Sequence, residues 1–140
     1  MNATREPNFG FAKTTGGKGM HVVVPIARRH TWPAVKAFAK ATAEAMAKDA
    51  PERYLTRIAK AERKGRIFID YLRNDPTSTA VAPYSTRARA GAPVAMPLAW
   101  DEVTAKLDPT AFTIAQARRR LARTPDPWTE IDKHAAALPR

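Results

Sequence analysis

The chain is 140 residues long, enough for one compact domain with a buried core, and its 24 Lys plus Arg against 13 Asp plus Glu leave a net charge of +11. That excess favours polyanionic partners: nucleic acid, nucleotides or an acidic membrane surface. No apolar run approaches the roughly 20 residues of a spanning helix, the first eleven residues lack the apolar centre of a secretory signal, and the absence of cysteine rules out disulfides and thiolate metal sites, compatible with a cytoplasmic protein.

In chain order, residues 1–12 read as an irregular or edge lead-in with Pro7 and Gly10, and residues 13–20 as a glycine-rich turn. His21–Pro25 reads as a buried strand from its β-branched run. After a basic loop at 27–30, Thr31 is placed to cap a helix over Trp32–Asp49. In it Trp32, Val35, Phe38, Ala39, Thr42 and Met46 recur on one face and Lys36, Lys40, Glu44 and Lys48 on the other. Pro51 and Gly65 suit the start and stop of a second helix, with Leu55, Ile58 and Ala59 apolar. Arg66–Leu72 reads as a strand, Asn74–Pro76 as a turn and Thr79–Ala82 as a short partner strand. Residues 83–97 form a loop, Trp100–Leu107 and Ile114–Ala122 two short helices, and 125–140 a Pro-rich tail. The expected fold class is therefore α+β: a small, mainly antiparallel sheet from strands near 21–25, 67–72 and 79–82, flanked by helices.

Three constellations bear on chemistry, each with a plainer reading beside it. In KTTGGKGMH (Lys13–His21) the glycines permit a concave array of backbone N–H groups, Lys18 adds a charge, and Thr15 and His21 add donors, which suits a di- or triphosphate. The plainer reading is a flexible hairpin turn with a solvated lysine. It is not a P-loop, because Ala12 and Gly19 stand where that pattern needs Gly and Ser or Thr. His21 has no second histidine or cysteine at zinc-ligand spacing. It is either an ordinary strand-start histidine or a donor to phosphate.

Asp70 is a carboxylate within an apolar strand pattern, and burying a charge is costly unless it is paired or metal-bound. A salt bridge to Arg63, Arg66 or Arg73 and a Mg²⁺ or Mn²⁺ ligand role both satisfy that requirement. Arg73, Arg87 and Arg89 are a solvated basic face on the plain reading and a phosphate-contacting groove on the other. The run Arg118–Arg120 with Arg123 reads as general electrostatics.

Taken together, KTTGGKGMHVVVPI, RKGRIFIDYLRN, TAVAPYSTRAR and GAPVAMPLAWDE resemble the primase-like (archaeo-eukaryotic primase) polymerase domain of bacterial ATP-dependent ligase D, from about Phe11 to Trp128. The resemblance implies a partial primase-like fold and a template-dependent nucleotidyltransferase of double-strand-break repair by non-homologous end joining. It implies that Thr15, Lys18, His21, Arg73 and Arg87 hold the nucleoside triphosphate. Thr15 stands where the family usually has serine. It further implies that Asp70 is the catalytic carboxylate binding Mn²⁺ or Mg²⁺, with Arg63 a weaker match to the pocket's basic residues. Arg63 and Arg89 are the expected nucleic-acid contacts.

The family also uses an aspartate pair from its N-terminal half, and no D-x-D occurs here. Residues 13–124 are therefore expected to correspond to the C-terminal half of that domain. The half is expected to be inactive alone, with DNA ends and a separate N-terminal half or ligase module as partners and no membrane association. The alternative is a non-catalytic basic nucleotide- or nucleic-acid-binding module.

Overall fold

The computed structural model describes residues 10–57 and 59–139. The first nine residues of the expected lead-in, and Ile58 of the expected second helix, lie outside that range. Two compact units emerge, one made of the chain through Ile26 together with Val81–Ala136, the other of Ala27–Ala80 together with the residues from Ala137 on.

The first unit is built on a three-stranded antiparallel sheet of β1 (Phe11–Thr14), β2 (Met20–Val23) and β5 (Pro97–Leu98), with β1 in the centre. The register pairs Phe11 with Val23, Lys13 with His21 and Thr14 with Met20, and Ala12 with Leu98 across the other edge. One side of this sheet meets the core, where Val94, Met96, Leu98 and Ala117 pack with Met20, Tyr84, Val103, Leu107 and Phe112.

Ala117 belongs to helix α2 (Ile114–Arg123), capped by the Thr113 hydroxyl, which accepts from the Gln116 N–H. Trp128 is also buried, its indole N–H donating to the Ala12 carbonyl at 3.1 Å while its ring meets Phe11 edge-on. Trp128 thus covers β1.

Thr14 holds the sheet to residues 94–96. Fully buried, its hydroxyl donates to the Val94 carbonyl at 3.2 Å and accepts from the Met96 N–H at 2.8 Å. Thr14→Val keeps the shape but leaves both groups without that partner, so it is expected to cost about 2 kcal/mol in a urea unfolding experiment. Thr14→Ser should recover most of the loss, and equal loss for both variants would show that the methyl group, not the hydroxyl, matters there.

In the second unit, α1 (Trp32–Asp49) follows its Thr31 cap as expected. Ala43 is its one buried residue among those described, and Trp32 and Met46 of the apolar stripe are exposed. The second helix expected from Pro51 to Gly65 does not form. The chain instead makes β3 (Tyr54–Leu55), a 3-10 turn at Lys60–Arg63 and β4 (Ile67–Phe68). β3 and β4 pair in parallel, sealed by Ile67 N–H to Arg53 C=O and Ile69 N–H to Leu55 C=O. Aromatic and β-branched content at Tyr54–Thr56 and 67–69 suits this pairing better than a helix.

Two further strand expectations need correction. The run 66–72 is extended only at Ile67–Phe68, because Asp70 turns the chain, its carboxylate accepting from the Leu72 N–H at 3.0 Å. The partner strand at 79–82 is absent: the Thr79 carbonyl accepts from Arg73 and the Val81 carbonyl from Lys13, so side chains occupy acceptors a ladder would use. Trp100–Leu107 likewise holds only a 3-10 turn at Trp100–Glu102. The α+β class stands, but its main sheet is made of strands 11–14, 20–23 and 97–98. Among the described residues no helix is long and apolar enough to cross a membrane.

Candidate functional site

The turn between β1 and β2 is closed from within. The Thr15 N–H and hydroxyl both donate to the Gly19 carbonyl, at 3.2 and 3.0 Å, and the Gly17 N–H donates to the Thr15 hydroxyl. The hydroxyl of Thr15 therefore shapes the loop directly. Gly16 has φ +69°, the left-handed region that favours glycine.

The segment after Tyr84 brings two arginines to this turn. Arg87 donates from Nη1 to the Thr15 carbonyl at 3.0 Å, and its own N–H goes to the Pro93 carbonyl. Arg89 lies against Gly17, where a Cβ would sit 3.3 Å from the guanidinium. The bend that aims them carries two non-glycine residues with positive φ, Tyr84 at 64° and Ala92 at 42°, a costly backbone state tolerated where its surroundings enforce it. Lys18 is exposed at the tip, and His21 faces Lys13 across the ladder. Thr15, Lys18, His21, Arg87 and Arg89, named from separate stretches of sequence, thus share one end of the sheet.

Lys13 is the residue that sequence reasoning missed. It is 2% exposed, and its ammonium donates to the Val81 carbonyl at 2.8 Å. Burial, with the nearby positive charge of Arg87 second, lowers its pKa to about 8. The signal available in the sequence was alternation: Lys13 and Thr15 are two apart along an extended run and so project to one side.

The other sequence candidates gather in the second unit. A cleft there is lined by Arg63, Phe68, Asp70, Arg73, Thr77 and Thr79. Asp70 is not buried in a strand as the alternation suggested; its side chain is 33% exposed and pairs with Arg73 Nε at 3.0 Å. Arg73 also reaches the Thr79 carbonyl at 2.7 Å, and the Arg63 guanidinium lies over the Phe68 ring at 4.3 Å. Nearby Asp75 accepts from the Thr77 hydroxyl and N–H and from Lys36, which hold its carboxyl down at about 2. Among the described residues, no three of His, Asp and Glu gather as a metal cage.

Comparison with known proteins gives a consistent picture. A model of the family described as "LigD, primase-polymerase domain" matches residues 8–128. The multifunctional non-homologous end joining protein LigD of Pseudomonas aeruginosa is 41% identical over 122 residues, covering 86% of this chain and 14% of that protein. The bifunctional non-homologous end joining protein LigD of Bacillus subtilis is 30% identical over 122 residues, 86% of this chain and 20% of that protein. Among solved structures, the polymerase domain from Mycobacterium tuberculosis ligase D in complex with DNA matches with a TM-score of 0.80 at 29% identity, over 90% of this chain and 44% of that chain. This chain therefore spans less than half of that solved domain and a small share of the multidomain relatives.

Proposed function

The chain belongs to the LigD primase-polymerase domain family, and from that premise we propose that it holds the nucleoside triphosphate for a nucleotidyl transfer at DNA ends in non-homologous end joining. The observation that carries this reading is the Arg87 guanidinium seated on the Thr15 carbonyl. It brings fixed positive charge to a glycine turn that already presents Lys18, with Arg89 against Gly17. Cations converging on such a turn suit a polyphosphate, with arginine contributing directional donors and lysine a mobile charge. His21 adds a ring donor on the same side of the ladder as Lys13. Arg73 and Arg63 serve the cleft around Asp70, toward nucleotide or nucleic acid.

Transfer in such a reaction draws on divalent ions that neutralise charge on the attacking and leaving oxygens. The described residues do not make that centre by themselves. Asp70 is a single carboxylate already engaged by Arg73 and the Leu72 N–H, whereas Mg²⁺ and Mn²⁺ prefer about six oxygen ligands. Asp70 would supply one of them. The chain alone accordingly binds without transferring, and residues outside it, from an N-terminal half or a ligase module, complete the site.

Lys18→Ala and His21→Ala are each expected to weaken ATP binding about tenfold by calorimetry, as for loss of one charge-assisted contact. Lys48→Ala, exposed on α1, should change little. Equal losses at all three would reduce the effect to general electrostatics and defeat the reading. The engagement of Asp70 by Arg73 and the Leu72 N–H favours a second reading, a nucleotide- or nucleic-acid-binding module without chemistry. Template-dependent nucleotide addition with Mn²⁺ by the chain supplied with an N-terminal half, lost in Asp70→Ala, would eliminate it.

A further inference from the structure

We propose that Lys13 is a further phosphate-binding residue of this site, the cation that strand β1, as distinct from the turn, brings to a bound polyphosphate. This deepens the nucleotide-binding reading above and rests on it. Three observations support it. The register sets Lys13 directly opposite His21, so their side chains share a face of the sheet. Arg87, whose guanidinium sits on the Thr15 carbonyl, is close enough to Lys13 to disfavour its charge. And one of the three ammonium donors goes to the Val81 carbonyl, which leaves two for a ligand.

A lysine that is 2% exposed ordinarily needs a counter-charge. Around Lys13, β2 contributes His21, the turn Lys18, the segment after Val81 Arg87, and β5 only Pro97 and Leu98. On the Trp128 side, His134 packs edge-on to Phe11. Among the described residues the charge that bears on Lys13 is the positive one of Arg87, and a polyphosphate would supply negative charge beside it.

The consequence is a proton. With its pKa lowered to about 8, Lys13 is partly neutral in mildly alkaline solution. A bound polyphosphate favours the ammonium form and raises that pKa, so the neutral amine takes a proton from solvent as the ligand binds. Tripolyphosphate has a last ionisation of its own in this range, the same for the parent and for variants, so the proton due to Lys13 is read as the difference between them. The part of the affinity that Lys13 contributes should then fall with rising pH above about 8.

Calorimetry with inorganic tripolyphosphate tests this on the full chain, in buffers of different ionisation enthalpy between about pH 7 and 9.5. The parent should take up a fraction of a proton at alkaline pH that Lys13→Met does not, and lose affinity more steeply. Lys13→Arg should keep affinity at high pH without the uptake. A measurement on the parent alone guards against misfolded variants: the Lys13 ammonium resonance, followed by NMR, should titrate at higher pH with tripolyphosphate than without. If tripolyphosphate binds in a Lys18-dependent way while the Lys13 titration stays put, Lys13 is a structural cation and the proposal is overturned, leaving the nucleotide reading intact. If tripolyphosphate does not bind at any pH, both fall together.

Discussion

Gly16→Ala is expected to destabilise the protein by roughly 3 kcal/mol and to abolish triphosphate binding. Two costs combine. At φ +69° an L side chain pays the left-handed penalty, and the added Cβ would lie 2.6 Å from Arg87 Cγ and 2.9 Å from the Pro93 carbonyl oxygen. The Arg87 stem could swing aside, but only by giving up its bond to the Thr15 carbonyl; the Pro93 backbone cannot move so cheaply, because its carbonyl accepts from the Arg87 N–H. Stability and site geometry are therefore lost together. Gly91→Ala separates the two costs, since Gly91 has φ +79° and a Cβ added there would meet nothing within 4 Å. It should lose only the conformational part, about 1 kcal/mol. Urea midpoints that coincide for the two variants would show that crowding against Arg87 is absent.

Arg120→Ala is expected to cost about 2 kcal/mol. Arg120 on α2 pairs through both terminal nitrogens with both carboxylate oxygens of Glu102, and the side chains are 19% and 31% exposed. Glu102 also accepts from the Ala99 N–H, so the pair fixes the turn that follows β5 to the helix. Removing the arginine leaves a half-buried carboxylate without its cation. The Arg120 hydrogen bond is the main reason the Glu102 carboxyl lies below its ordinary 4.5, with burial opposing it. A depressed carboxyl stabilises the fold at pH above its unfolded value, and that contribution disappears as pH falls through the folded value. The gap in stability between the parent and Glu102→Gln should thus be constant above about pH 5 and close on acidification. A gap that persists unchanged in acid would mean that the pair contributes no charge-dependent stability.

The same pair explains a division within the basic helix. Arg120 is committed to Glu102, while Arg118, Arg119 and Arg123 are exposed. The sequence shows four arginines of one kind. Only packing distinguishes the one that holds the fold from the three that contribute to the field around it.

Legibility followed the range of the interaction responsible. Both long helices could be read because their causes are local: a threonine cap, a favourable first turn, and side chains three and four apart. The expected helix over 51–65 failed because strand pairing between residues 54–55 and 67–68 overrode a pattern of Pro, Leu and Gly that also suits a helix. The expected hairpin arm at 79–82 failed because its carbonyls were claimed by Arg73 and Lys13, the second from 68 positions away.

The residue types of the site were readable as well: a glycine turn rich in donors, a carboxylate among arginines, and the order of motifs that marks the family. What they do was partly hidden. Thr15 reads from the sequence as a phosphate ligand, and the fold adds a second task, since its hydroxyl closes the turn. Asp70 looked like a buried charge, either paired or metal-bound; the pair with Arg73 forms, but in an open cleft two residues past a two-residue strand.

By itself, then, the sequence determined the α+β class, the family, the cationic character and the short-range elements, because charge, glycine freedom and helical periodicity belong to neighbouring residues. Tertiary structure alone decided which strands pair, which arginine becomes an internal ion-pair partner, and that Lys13 is enclosed beside Arg87. Those outcomes depend on desolvation and on contacts between distant segments, and a residue's burial is a property of whatever the folded chain lays over it.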